Sequence, residues 1–133
     1  MSYDLMVFAP EACPAKKRGP FLDWYEAQTE WAEGHSYDDP AVGTPALRAF
    51  YKALAVDFPP LKDDGDDRDG GTDYTIGKSL IYITFDWDKV DEAHAAVFRL
   101  AGQHGLGFFD ASSDLAETWL PDGKGGLYIA HSD

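Results

Sequence analysis

A chain of 133 residues carrying 24 Asp and Glu against 11 Lys and Arg has a formal net charge of −13 at pH 7. That potential repels nucleic-acid phosphates and anionic membranes, and it attracts basic proteins or cations over a Debye length of ~8 Å at physiological salt. Hydrophobic residues at 44% and aromatics at 14% supply one packed core, and the single cysteine, Cys13, excludes an intramolecular disulfide and any metal site built from several thiolates.

The opening MSYDLMVFAP has neither the basic start nor the apolar stretch of a secretion signal. No apolar run approaches the ~20 residues that cross a bilayer, so a soluble, cytoplasmic protein is expected. Tyr3 to Phe8, apolar apart from Asp4 and stopped by Pro10, reads as a strand at or near the centre of a sheet. Pro20 suits the first turn of a helix, and Phe21, Trp24, Tyr25, Gln28 and Trp31 follow at helical spacing, predicting a helix from about 20 to 33 that ends at Gly34. The turn formers of 35–43 predict a loop. Thr44 before Pro45 is a second helix start, with Leu47, Phe50, Tyr51 and Leu54 as its buried stripe and an end before Pro59.

Residues 59–73 read as an exposed acidic loop, since seven aspartates fall between Asp57 and Asp73 against only Lys62 and Arg68. Leu80 to Phe85 is β-branched and aromatic and predicts a central strand. Asp88 is the expected cap of a helix with a core face of Val90, Ala93 or His94, Val97, Leu100 and Ala101, ended by Gly105. Leu106 to Phe109 begins another strand, so strand, helix and strand make a βαβ unit whose strands run parallel. Glu117 to Leu120 and Leu127 to Ala130, separated by Pro121-Asp122-Gly123-Lys124-Gly125-Gly126, predict a hairpin. The order β-α-α-β-α-β-β-β describes a single α+β domain over 1–133, with a mixed sheet and its helices mainly on one face.

No catalytic signature stands out. The acidic loop lacks EF-hand spacing, because a frame begun at Asp66 puts Arg68 third and Gly70 fifth, so no metal is expected. Gly123-Lys124-Gly125-Gly126 lies between two strands, not in the strand-to-helix setting of a phosphate loop. His94 and His104 lack the i, i+4 interval of a helical metal site. Lys16, Lys17 and Arg18 would lower the thiol pKa of Cys13, but no histidine lies in that segment to act as its base. The segment from Glu30 to Asp39 gathers Trp31, His35, Tyr37, Asp38 and Asp39, and its aromatics fit recognition better than chemistry.

With SYDLMVF at 2–8, HSYDDP at 35–40, DYTIG at 73–77 and GLGFFD at 105–110, the whole chain resembles a group of small uncharacterised bacterial proteins. By size and charge it also looks like the acidic immunity proteins of bacterial toxin systems, which implies a basic toxin domain as partner. The expected function is non-enzymatic binding of a basic protein, with no cofactor, no nucleic acid and no membrane. Asp63, Asp64, Asp66, Asp67 and Asp69 would steer the encounter while Trp31, His35, Tyr37, Asp38 and Asp39 anchor it. The alternative is a small-molecule-binding protein or enzyme with a pocket near His35 and Asp38, and a homodimer is a third arrangement.

Overall fold

The computed structural model describes residues 2–12, 17–30, 40–58, 72–112 and 117–131. Its strands are β1 (Ser2–Phe8), β2 (Asp73–Ile76), β3 (Leu80–Asp86), β4 (Gly107–Phe109), β5 (Thr118–Pro121) and β6 (Leu127–His131). Its α-helices are α1 (Arg18–Gln28), α2 (Pro45–Asp57) and α3 (Val90–Gln103). One sheet has the order β2-β3-β1-β4-β5-β6, and every neighbouring pair is antiparallel. The α+β class expected from the sequence is present. β3 and β4 do run parallel to each other, but β1 lies between them, so the expected mixed sheet contains only antiparallel pairs in a split β-α-β arrangement.

Burial on both faces explains the continuous apolar run of β1. Tyr3, Leu5 and Val7 join Leu47, Phe50 and Leu54 of α2 and Ala93, Val97 and Leu100 of α3 in one core layer. Met6 and Phe8 point the other way and pack with Phe21 of α1, Leu80, Phe109 and Leu120. Side chains of this size contribute roughly 1.5–3 kcal/mol each when fully buried. α2 and α3 therefore share one face, as expected, and α1 covers part of the other.

Local signals account for most element ends. The Thr44 hydroxyl accepts a hydrogen bond from Leu47 N at 3.2 Å, and Pro45 opens α2. At the end of α3, Gly105 takes φ +68° while Leu106 N donates to Ala101 O at 2.9 Å, the closing bond of a Schellman turn. Asp122 closes the β5–β6 hairpin, its Oδ1 accepting from Lys124 N at 2.7 Å and Gly126 N at 3.1 Å.

Three expectations change. The 3-10 turn Trp87–Lys89 precedes α3, so Lys89 and not Asp88 occupies its N-cap, while Asp91 and Glu92 complement the dipole in the first turn. α1 ends at Gln28 instead of 33, with Thr29 as its C-cap, whose N–H and hydroxyl both donate to Tyr25 O at 3.0 Å. β2 is an added strand, pinned by Tyr74, whose buried hydroxyl donates to Phe58 O at 2.6 Å.

Candidate functional site

Antiparallel pairing of β1 with both β3 and β4 brings the start of β1 to the ends of its two neighbours. Asp4 pairs with Thr84, and Met6 with Phe109, so Asp110 falls beside the first half of β1. The alternation of a strand then divides the polar groups between the two faces.

On the α1 face, the Tyr82 hydroxyl donates to Asp4 Oδ2 at 2.9 Å, and Tyr25 and Tyr82 share a side-chain hydrogen bond. The other oxygen of Asp4, Oδ1, is buried with no hydrogen-bond partner among the described residues. Burial pushes the phenol of Tyr25 above its ordinary range and that of Tyr82 further, with the neighbouring phenol and Asp4 adding to the second. Both stay protonated near neutral pH and act as donors, not bases.

On the α3 face, Tyr3 is raised by burial first, then by the charges of Asp110 and Asp91. His94 Nε2 stands 3.9 Å from Asp110 Oδ2, with the histidine side chain 44% exposed and the carboxylate 12%. The His94 ring lies parallel to Phe98 at 5.9 Å and edge-on to Phe108 at 5.4 Å. Ser112 links the two faces. Its hydroxyl accepts from Asp4 N at 2.7 Å, and its own N–H donates to Asp110 Oδ1 at 3.3 Å.

This end of the sheet thus holds half-buried Asp4 with Tyr25 and Tyr82 on the α1 face, and exposed Asp91 near buried Tyr3 and Asp110 on the α3 face, a negative field that favours cationic groups. Among the described residues no three His, Cys, Asp or Glu side chains converge to hold a metal ion. A separate open groove of about 500 Å³ lies between the end of α2 and α3, lined by Asp57, Phe58, Lys89, Glu92, Ala96 and Arg99.

The sequence expectations fell elsewhere. Asp63, Asp64, Asp66, Asp67 and Asp69, and Trp31, His35, Tyr37, Asp38 and Asp39, all lie outside the described residues, as does Cys13. Sequence reading passed over Tyr3, Asp4, Tyr25, Tyr82, Asp110 and Ser112. Asp4 carried a signal, being a lone charge within the apolar run of a strand expected at the sheet centre. Asp110 and His94 carried none, because only the strand order brings them together. No helix among the described residues is long and apolar enough to cross a membrane. No protein-family model matches this chain, and comparison with curated proteins and with solved structures found no similar protein.

Proposed function

We propose that this protein is a non-enzymatic binding protein of the bacterial cytoplasm, immunity-like or regulatory, that holds a basic protein partner against its acidic surface. The observation that carries the reading is the negative end of the sheet, where half-buried Asp4 lies beside half-buried, protonated Tyr25 and Tyr82 on one face and exposed Asp91 lies on the other, on a chain of net charge −13. Carboxylates accept charge-assisted hydrogen bonds from Lys and Arg, and tyrosine supplies contact area with a polar tip. In this reading Asp63, Asp64, Asp66, Asp67 and Asp69 extend the negative field that steers the encounter, and the 30–39 segment contributes Trp31 and Tyr37 as anchors.

The test is association kinetics with basic proteins captured by the tagged chain from lysate of its source organism at low salt. Changing those five aspartates to Asn should slow association about tenfold at low salt and little at high salt. An unchanged on-rate at low salt for every captured partner refutes the reading.

A second reading, small-molecule binding or catalysis, draws on the groove beside α3, whose volume of about 500 Å³ falls within the range of ligand sites. A metabolite that raises the melting temperature of the protein but not of Arg99→Ala would favour it.

A further inference from the structure

β6 ends the sheet with an edge that is open among the described residues. Asp122 N donates to Gly126 O at 3.0 Å across the hairpin, which fixes the alternation of the ladder that follows. Pro121 and Leu127 then form a non-hydrogen-bonded pair, Leu120 and Tyr128 a hydrogen-bonded one, and Trp119 and Ile129 again a non-hydrogen-bonded one. Pro121, which has no N–H to give, sits where none is needed. The N–H and C=O of Leu127 and Ile129 therefore point away from β5.

Edges are ordinarily guarded by Lys, Pro, shortness or inward charge. The opposite edge, β2, is four residues long with an exposed Asp73. β6 carries Leu-Tyr-Ile-Ala-His, without a Lys, an acid or a proline, and its Tyr128 and Ile129 are each 45% exposed on opposite faces. Its far end continues into the acidic end of the sheet, since His131 pairs with Thr118 and Glu117 O accepts from Asp110 N at 3.0 Å. A strand laid on β6 would lie ~10 Å from β5, about one Debye length from Glu117.

We infer that the outer edge of β6 is a strand-addition site for an extended segment of a basic partner, in which Lys or Arg alternates with apolar residues. The inference rests on the partner-binding reading and specifies its mode. Main-chain bonds to Leu127 and Ile129 supply the docking, and Tyr128 and Ile129 flank the added strand on its two faces. Charge selects the occupant, because a second copy would bring another −13 to the same edge whereas a cationic strand is attracted.

The experiment is amide NMR of the full chain with the peptide Lys-Val-Lys-Val-Lys-Val-Lys and with its backbone-N-methylated counterpart. Shifts and slowed amide exchange at Leu127 and Ile129 with the first peptide, lost with the second, are the expected result. Equal response to both peptides, mapped to acidic residues away from β6, overturns strand addition while leaving the basic-partner reading standing. No response to either peptide at low salt overturns strand addition and counts against both. Exchange at Leu127 and Ile129 already slow without peptide, with a dimer in sedimentation, gives the edge to a second copy and overturns the inference. Ile129→Pro removes only an outward donor, so it should keep the cooperative unfolding of the parent while binding the first peptide about tenfold more weakly. Undiminished binding by that folded variant also overturns the inference.

Discussion

Gly107→Ala offers the sharpest check on how the second core layer is built. A methyl group at Gly107 would collide with the Phe8 ring of the adjacent strand, where the two residues are paired. Phe8 is fully buried and cannot swing aside, because Phe21 lies 5.2 Å and Trp24 6.0 Å from its ring, and Phe21 in turn leans on Phe109 at 5.3 Å. The glycine has no positive φ, so the backbone accepts alanine and the cost is steric. Overpacking against a fixed ring costs ~2–3 kcal/mol, which for a domain of this size lowers the melting temperature by ~7–11 °C. Calorimetry and urea titration of Gly107→Ala, Phe8→Leu and the double variant measure it. Because both changes act on one contact, the double variant should be less destabilised than the sum by ~1 kcal/mol or more. A single variant within ~0.5 kcal/mol of the parent, or strict additivity, would show that Phe8 does not occupy the space above Gly107.

Tyr74→Phe strands the buried Phe58 carbonyl and should cost ~1–2 kcal/mol in urea unfolding, with a loss under ~0.5 kcal/mol contradicting the 2.6 Å bond. Thr44→Ala removes the cap of α2 and should cost ~1 kcal/mol, whereas Thr44→Ser should restore most of it. Tyr3, Tyr74 and Tyr82 are all held above the unfolded-chain value of ~10, chiefly by burial. Their contribution to stability is full below ~10 and is lost as pH rises toward the higher folded-state values, so unfolding free energy should fall above pH ~10. Absorbance at 295 nm should then show phenolate from these side chains appearing together with loss of near-ultraviolet circular dichroism. Ionisation of all seven tyrosines near pH ~10 with the fold intact contradicts their burial.

The parts of the fold that declared themselves in sequence are those where local chemistry and tertiary setting agree. Tyr3 to Phe8 and Leu80 to Phe85 read as central strands because they are central, with apolar side chains wanted on at least one face throughout. Thr44-Pro45 and Asp122 to Gly126 carry their turn and cap chemistry in themselves. β2 was hidden because only Tyr74 and Ile76 of its four residues are buried, and its first residue continues the run of aspartates before it. The strand order was hidden for a different reason. A βαβ sequence fixes the direction of β3 and β4, but whether they touch depends on where β1 inserts, and that is decided by non-local pairing. The acidic end of the sheet inherits this, since Asp4, Tyr82 and Asp110 come from three different strand regions brought together by that insertion.

The central place of β1 also sets the order in which the molecule can be completed. β1 is made before the other described strands, yet its two partners end at Asp86 and Phe109, so its first side stays open until β3 has been made and its second until β4. At ordinary translation rates, the interval from Phe8 to Phe109 is about 5–20 s, during which Leu5-Met6-Val7-Phe8 lacks one or both of its neighbouring strands. Such a strand is a natural client for a chaperone at the ribosome. Slowing translation between β1 and β4 should therefore lower the soluble yield more than an equal pause placed after β4.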